Sequence, residues 1–302
     1  QLIPARFLSP WTFYQKLLLL HDTGTGKSAS ISAVLDLLKK HDKDLTFIYL
    51  VSNDTLVKNF KGYKNTNGRW QQGMIEKHCQ WVKNRVKTES WTNVNSFFRR
   101  YNMFFSTFGS FQRDLEKISK SRLHRVFLVL DEAHHLITKN VNDKKSNYSI
   151  IMNFIKNIRE LKLLVSTATP MRDDALEILY LLNLVVPLEF PTGKKFFDQY
   201  LRILEKQQGI HTDLNTFQFK AGKDVTFRKN LAGYVSVVRQ KIENVYPQYI
   251  GKLEGDMKST LIHVDNMESY QRTTYLETWN KKDTTDLKEE DEEEPKENME
   301  KL

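Results

Sequence analysis

The sequence predicts an α/β fold in which a mainly parallel β-sheet is flanked by helices. Short apolar segments alternate with amphipathic helical segments over about the first 180 residues, as in chains that form parallel sheets. Glycine-rich or polar motifs directly follow several of these apolar segments. Because ligands of such sheets bind beyond the carboxyl ends of the strands, the motifs are expected to meet in one site.

Residues 1–15 are predicted to form a loop or short turn before the first strand, because two prolines lie among several aromatic residues. These aromatic side chains either lie against an adenine or pack onto the core. They are Phe7, Trp11, Phe13 and Tyr14.

The first predicted strand, residues 17–20, leads into a glycine-rich turn in the stretch LLLLHDTGTGKS. Glycines there let backbone N–H groups close around a polyphosphate. Lys27 can reach the β- and γ-phosphates, the Ser28 hydroxyl can bind Mg²⁺, and a helix over residues 28–40 directs its N-terminal dipole at the anion. His21 departs from the G-x-x-x-x-G-K-[ST] pattern at its first position. The residues predicted to bind ATP are Asp22, Thr23, Gly24, Thr25, Gly26, Lys27 and Ser28.

The second predicted strand, residues 45–51, precedes a helix over residues 55–60 that Asn53 or Asp54 can cap. Residues 61–100 are polar, basic and aromatic, and they are predicted to be an insertion of helices and loops. Their interleaved basic and aromatic side chains either stack on and neutralise a single nucleic-acid strand or simply pack helices together.

The third and fourth predicted strands, residues 103–108 and 125–130, end in hydroxyl and carboxylate side chains. Asp131 stands where the acidic residue that holds Mg²⁺ in a phosphate-loop ATPase is expected. Glu132 can orient and deprotonate the attacking water. Since a protein that only bound nucleotide would not need Glu132, the pair predicts hydrolysis, with Glu132 and Lys27 as catalytic residues.

The fifth predicted strand, residues 162–165, follows a segment with a helical apolar period, residues 148–161. Thr167 and Thr169 come next, in the sequence TATP, where their hydroxyls can sense the γ-phosphate. His134 is predicted to couple the nucleotide site to the rest of the protein.

Beyond residue 187 the pattern predicts a smaller α/β segment. Helices are expected over residues 194–207 and 267–279, and strands over residues 231–239 and 260–264. The tail, residues 281–302, holds five Lys and ten acidic residues with few apolar ones, and it is predicted to be disordered.

The net charge of +9 is unevenly distributed, because the tail carries −5 and the remaining residues therefore carry +14. Such a basic body favours a polyanion such as nucleic acid, although a solvated basic surface has the same composition. No apolar run approaches the roughly 20 residues of a membrane span. The sole cysteine, Cys79, suits a reducing compartment, and with only His78 beside it a metal site is not expected. Because the first residue is Gln1, we expect the natural N-terminus to be missing.

GTGKS, DEAH and TATP occur in this order, each after a predicted strand. In this the sequence resembles the first RecA-like domain of superfamily 2 helicases and translocases. It is most similar to the DEAH-type ATPases of poxviruses, other large cytoplasmic DNA viruses and yeast linear plasmids, a group that includes nucleoside triphosphate phosphohydrolase I and the early transcription factor small subunit. That group shares LLLLHDTGTGKS with its histidine, VSNDTLVKNF, VLDEAHHL and STATPMRD.

The resemblance implies a RecA-like ATP-binding domain over residues 1–186 with the insertion at 61–100, a connecting segment over 187–280, and the tail over 281–302. It implies ATP and Mg²⁺ as cofactors, Ser28 and Asp131 as metal ligands, and coupling through His134, Thr167 and Thr169. It also implies contacts with a nucleic-acid backbone, which read no base sequence. These contacts would come from Ser52, Asn53, Thr55, Ser106 and Thr107.

The implied function is a nucleic-acid-dependent ATPase, helicase or translocase, in viral or plasmid transcription. Expected partners are nucleic acid, with DNA favoured over RNA, and a viral or plasmid-type RNA polymerase or transcription factor subunit, in the cytoplasm, a virus factory or a virion. Enzymes of this superfamily complete the site with arginine fingers from a second RecA-like domain, and no Q-x-x-G-R-x-x-R occurs here. We therefore expect this chain alone to hydrolyse ATP weakly. The alternatives are a non-motor nucleotide-switch subunit of a transcription complex and half of a split helicase.

Overall fold

The computed structural model describes residues 2–89, 93–171, 174–208 and 213–238. These residues belong to one compact unit, Gln1–Gln240. The strands, in chain order, are β1 (Lys16–His21), β2 (Thr46–Val51), β3 (Gly62–Lys64), β4 (Trp70–Gln72), β5 (Met103–Thr107), β6 (Arg125–Asp131), β7 (Glu160–Thr167), β8 (Leu201–Gln208), β9 (Asp213–Phe219) and β10 (Val235–Val238).

Helices occupy most of the connections between the strands. They are α1 (Leu2–Phe7), α2 (Lys27–His41), α3 (Asp54–Lys61), α4 (Met74–His78), α5 (Gln80–Thr88), α6 (Val94–Arg100), α7 (Phe111–Leu115), α8 (Asn147–Asn157), α9 (Ile178–Val185), α10 (Lys194–Tyr200) and α11 (Lys223–Leu231). Single 3₁₀ turns cover Lys120–Leu123, Ala133–Leu136 and Ala175–Glu177.

Six strands form one parallel sheet in the order β10-β1-β7-β6-β2-β5. All six residues of β2 are buried, and so are all residues of β6 after its first. Two apolar clusters cover the two faces of the sheet, one including residues of α8 and α9 and the other residues of α2 and α3. The predicted parallel sheet flanked by helices is therefore confirmed.

Parallel pairing brings the carboxyl ends of the strands to one edge of the sheet. His21 ends β1, which pairs with β7, the strand that contains Thr167. Asp131 ends β6 and is paired with Ser166 of β7. The loops after β1, β2, β5, β6 and β7 consequently emerge side by side, as the motif positions predict.

The insertion at residues 61–100 is not only helices and loops. It begins with a short antiparallel hairpin of β3 and β4, followed by α4, α5 and α6. Trp81 is buried, and the Arg85 guanidinium lies 3.6 Å from the centre of its ring. Of the two interpretations of this segment, packing between helices therefore accounts for Trp81. The Arg85 guanidinium and the Trp81 ring form a cation–π pair.

Four predicted elements need correction. Residues 2–7, predicted as loop, form α1, because Pro4 lies in the first helical turn, where no backbone N–H is needed. The helix predicted over 148–161 ends at Asn157, since residues from Glu160 onward pair with β6. The helix predicted over 194–207 ends at Tyr200, because residues 201–208 pair with β9 in an antiparallel hairpin.

The fourth correction concerns the strand predicted over 231–239. Leu231 closes α11, Gly233 turns the chain with a φ of 84°, and only residues 235–238 form β10, which joins the main sheet beside β1. The expected elements at 260–264 and 267–279 and the tail at 281–302 lie outside the described residues. The division of the chain at residue 186 stays a prediction. In the part of the chain that the structure describes, no helix has the length and apolarity that crossing a membrane requires.

Candidate functional site

The glycine-rich turn connects the end of β1 to the start of α2. Gly24 has a φ of 77° and Gly26, which precedes the first helical residue, a φ of 92°. Both values lie in the left-handed region, which only glycine enters without strain. The Thr25 hydroxyl donates to the Asp22 carbonyl at 2.6 Å and tightens the turn. The sequence thus folds into a short loop that ends at a helix N-terminus, the arrangement that binds phosphates.

Lys27 lies folded across this loop. Its Nζ donates to the carbonyl oxygens of His21 at 3.1 Å and Asp22 at 3.4 Å, and it lies 3.8 Å from Glu132 Oε1. Its side chain is 10% exposed. The ammonium therefore sits between the phosphate loop and the loop after β6, where it can contact an anion held in the turn.

Asp131 is buried at the end of β6, and its carboxylate accepts three hydrogen bonds. Tyr49 donates its hydroxyl to Oδ2 at 2.7 Å, and Ser166 and the Glu132 backbone N–H donate to Oδ1 at 3.0 and 3.1 Å. Burial raises the pKa of Asp131, and the bond from Tyr49 opposes this rise. Burial beside Asp131 also raises the pKa of Tyr49, so the phenol keeps the proton that it donates.

Glu132 has a left-handed backbone, with φ 50° and ψ 49°. This conformation is uncommon for a residue other than glycine and marks sites where side-chain direction matters. The side chain is 26% exposed and lies between Lys27 on one side and His134 Nδ1, at 3.5 Å from Oε2, on the other. Glu132 is thus the partly exposed carboxylate of the pair, and Asp131 is the buried one.

His134 joins the loop after β6 to the end of β7. Its Nδ1 lies 2.8 Å from the Thr167 hydroxyl, which also accepts the Thr169 backbone N–H at 3.1 Å. Thr167 is fully buried. The three residues predicted to couple the site therefore form one hydrogen-bonded chain, and its His134 end lies 3.5 Å from Glu132.

His21, the departure from the glycine pattern, is buried at the end of β1. Its Nε2 lies 3.1 Å from the hydroxyl of Ser236 in β10. Burial and the neighbouring Lys27 ammonium lower the pKa of His21, so the ring is neutral at neutral pH. The side chain at the first position of the loop therefore contacts β10, the edge strand of the sheet next to β1.

The donor set fits a magnesium nucleotide. Magnesium prefers hard oxygen ligands and is usually held by one or two protein groups together with substrate phosphates and water. Ser28 in the first turn of α2 and the Asp131 carboxylate are oxygen donors at the same edge of the sheet. Three hydrogen bonds leave capacity on Asp131, since a carboxylate has about four acceptor positions.

Cys79 lies in the apolar core beside α2. The thiol is buried, its Sγ lies 3.6 Å from Asp36 Oδ1, and burial raises its pKa to about 12. Among the described residues, no group of three or more His, Cys, Asp or Glu side chains could hold a metal ion.

The residues predicted to contact nucleic acid lie after β2 and β5, at the same edge as the nucleotide site. Asn53 and Thr55 are exposed and Ser52 is half-buried. Ser106 is buried and donates to Asp114 at 2.7 Å, while the Thr107 hydroxyl bonds Ser110. The structure therefore brings these residues to one edge, but it engages Ser106 in an internal hydrogen bond. Their roles stay predictions.

Three polar residues of the site went unrecognised in the sequence. Tyr49 and Ser166 hold the Asp131 carboxylate, and Ser236 contacts His21. A signal existed for two of them, because Tyr49 is a phenol inside an otherwise apolar strand and Ser166 directly follows one. Ser236 offers no such signal, since the strand predicted over residues 231–239 carries no indication that it lies beside β1.

Comparison with known proteins gives the following similarities. The family profile described as "Type III restriction enzyme, res subunit" matches residues 12–172, more than half of the chain. A protein of Invertebrate iridescent virus 3 named as a helicase is 25% identical over 292 residues, covering 91% of this chain and 26% of that protein. A protein of Acanthamoeba polyphaga mimivirus named as an ATP-dependent RNA helicase is 25% identical over 285 residues, covering 90% and 44%.

Among solved structures, the helicase domain of Pyrococcus furiosus Hef matches with a TM-score of 0.39 and 18% identity, covering 61% of this chain and 35% of that chain. The chain spans less than half the length of both viral relatives.

Proposed function

This chain belongs to the family described as the res subunit of type III restriction enzymes, within helicase superfamily 2, and from that membership we propose that it is a nucleic-acid-dependent ATPase. The protein works as a helicase or translocase, with ATP and Mg²⁺ as cofactors. The observation that carries the proposal is the position of Glu132, between Lys27 and the chain formed by His134 and Thr167.

Each residue has a separate task in this reaction. Lys27 binds the β- and γ-phosphates and neutralises charge on them as the terminal bond breaks. Glu132 accepts a hydrogen bond from the attacking water, orients it in line with the γ-phosphorus and takes its proton. Ser28 and Asp131 hold Mg²⁺, which when bound neutralises charge on the phosphate oxygens.

The Lys27–Glu132 contact places the cation that binds phosphate beside the carboxylate that acts as the base, with 3.8 Å between Nζ and Oε1. A γ-phosphate competes for Lys27 and releases Glu132 toward water. The hydrogen bond between His134 and Thr167 then carries the change to the loop after β7, where Thr169 lies.

The finer proposal is a DEAH-type enzyme of viral or plasmid transcription. It rests on the DEAH and TATP motifs at the ends of β6 and β7 and on the resemblance to large-DNA-virus ATPases. In this proposal a second RecA-like domain, in the same or another chain, supplies the arginine fingers. Its partners are nucleic acid and a polymerase or transcription factor subunit, and it works in the cytoplasm.

The test is ATP turnover with and without single-stranded DNA or RNA, for this chain and for a protein extended past Leu302. We expect only the extended protein to hydrolyse ATP rapidly. We also expect nucleic acid to stimulate this hydrolysis. An arginine finger contributes about 10³–10⁵ in rate, so the two proteins differ by orders of magnitude. If both proteins bind ATP and neither hydrolyses it, the nucleotide-switch subunit becomes the better account.

A further inference from the structure

Strand β5 is an open edge of the main sheet. In the part of the chain that the structure describes, it pairs with β2 alone. Phe47 N donates to Asn102 O at 2.8 Å and Phe108 N to Val51 O at 2.9 Å, so residues 102 and 108 face β2. Because facing alternates along a parallel ladder, the backbone N–H groups of Met103, Phe105 and Thr107 point away from β2.

A slot of about 310 Å³ runs along this edge. Residues 103–106 of β5 form its floor, α3 and α6 line one wall, and α7 with the turn Lys120–Leu123 lines the other. The walls come from opposite faces of the sheet, so the slot opens in the plane of the strands. That is where a further strand would lie, about 4.8 Å from β5.

The slot carries a positive charge. Lys61 and Arg99 line one wall and Arg122 the other, where the Lys117 ammonium is already paired with Asp114 at 2.7 Å. Arg122 also donates across the slot to the Arg99 carbonyl at 3.4 Å, which narrows one end.

The surroundings of Lys61 are also cationic. Burial lowers the pKa of Lys61, Asp54 opposes this shift, and the nearby cations Lys58 and Arg99 add to it. Beside the paired Asp114, Asp54 is the one carboxylate among the described residues that line the slot.

We propose that this slot takes an extended acidic segment of a partner protein, which adds to the sheet as a strand beside β5. The main-chain groups of the partly exposed Phe105 supply hydrogen bonds, and glutamate or aspartate side chains of the segment meet Lys61, Arg99 and Arg122. Strand addition at an exposed edge is a recurrent mode of peptide recognition. The open edge is otherwise a liability for a soluble protein.

A nucleic-acid strand fits the slot less well, although it shares the negative charge. Phosphate oxygens accept hydrogen bonds but cannot donate them, so the outward carbonyl group of the partly exposed Phe105 would lose water without gaining a partner. A peptide backbone offers both donors and acceptors at the strand repeat. Phe98 and Phe111 in the walls are buried in the core, so their faces are not open to stacking bases.

The test measures binding of a fluorescein-labelled heptapeptide that alternates threonine with glutamate, using the full chain and fluorescence anisotropy. We expect binding that weakens about thirtyfold for an analogue N-methylated at alternate amides, because it keeps every charge but loses strand hydrogen bonds. Arg99→Glu weakens binding about fivefold or more through charge repulsion, whereas Lys120→Glu, an equal change of charge on an exposed side chain that does not line the slot, has no effect.

Amide hydrogen exchange measured by NMR distinguishes strand pairing from electrostatic attraction, because attraction between charges does not protect a particular backbone N–H group. On peptide binding, exchange at Phe105 slows about tenfold, while exchange at Phe104 and Ser106, whose N–H groups already face β2, is unchanged. The proposal is overturned if the peptide does not bind, or if the methylated analogue binds as well as the parent. It is also overturned if a single-stranded oligonucleotide, and not the peptide, loses affinity in Arg99→Glu.

Discussion

At the scale of single residues, burial divides the two acidic residues of the site into different tasks. Asp131 is buried, accepts three hydrogen bonds and is fixed in place. Glu132 is partly exposed and lies between two cationic or ionisable groups, Lys27 and His134. A fixed carboxylate suits metal binding, and an adjustable one suits proton transfer.

Glu132→Gln should lower ATP turnover about 10²–10⁴-fold in a protein that includes the second domain, because the amide cannot take the proton of the attacking water. ATP affinity should change little, since Lys27 and the loop remain. Turnover and nucleotide binding are measured on the same preparation. Glu116→Gln, the same change on an exposed residue away from the site, is the matched control. Equal loss of affinity and turnover would instead assign Glu132 to nucleotide binding.

Lys39 is a buried lysine near the end of α2 that the sequence pattern does not single out. Its Nζ donates to the carbonyl oxygens of Leu45, Lys43 at 3.1 Å and Tyr101 at 2.8 Å, and it lies 5.4 Å from the centre of the Trp81 ring. Burial lowers its pKa from 10.5 to about 8. Lys39 thereby ties the loop before β2 to the loop before β5.

The lowered pKa of Lys39 predicts a pH dependence of stability. Between about pH 8 and 10.5 the unfolded chain binds more protons at this site than the folded one, so the contribution of Lys39 to stability rises with pH. The free energy of unfolding, measured by denaturant titration, should therefore increase with pH in the wild type relative to Lys39→Met. A flat difference for Lys39→Met would contradict the shift.

At the scale of elements, the N-terminus of α3 holds a residue with one observed role in the helix and one predicted role in binding. Asn53 caps α3, its side-chain oxygen accepting the Leu56 backbone N–H at 3.0 Å. The same exposed residue is predicted to contact nucleic acid. Capping was predictable, because Asn before a helix is a local signal.

Substitutions at Asn53 should separate the two roles. Asn53→Ala removes the cap and should lower the free energy of unfolding by about 1 kcal/mol, whereas Asn53→Ser keeps a hydroxyl acceptor and should cost less. Thermal unfolding and oligonucleotide affinity are measured for both variants. If affinity falls in Asn53→Ala alone, the residue acts by holding α3. If it falls equally in both, although Asn53→Ser costs less stability, the amide contacts the nucleic acid directly.

At the scale of the whole molecule, charge distribution should control non-specific binding to nucleic acid. Removal of residues 281–302 raises the net charge from +9 to +14, because that segment holds five Lys and ten acidic residues. We expect the shortened chain to bind single-stranded DNA about threefold or more tightly at low salt, with the difference fading as salt screens the charges.

The measurement is a titration of labelled oligonucleotide at several salt concentrations. A chain in which residues 281–302 are replaced by a neutral Gly/Ser segment of the same length separates charge from length and should behave like the shortened one. Weaker binding of both variants would show that the acidic segment supports the interaction instead of opposing it.

The sequence by itself determined the strands of the main sheet before residue 170 and the order of the motifs at their ends. The four leucines of β1, the apolar run of β6 and the glycines before Lys27 are local signals, readable within a few residues. Parallel topology then brings their ends together without further information. The fold class, a helix cap at Asn53 or Asp54 and the grouping of Lys27, Asp131 and Glu132 at one edge followed from these signals.

Only the tertiary structure decided the contacts between distant segments. Tyr49 and Asp131 are 82 residues apart in the chain, and His21 and Ser236 are 215 apart. The same reason explains why the helix predicted over residues 194–207 is wrong beyond Tyr200. Residues 201–208 pair with β9, and this pairing is not visible in the local sequence. Local periodicity records which face of a segment is apolar, whereas hydrogen bonding between segments depends on which of them the fold makes neighbours.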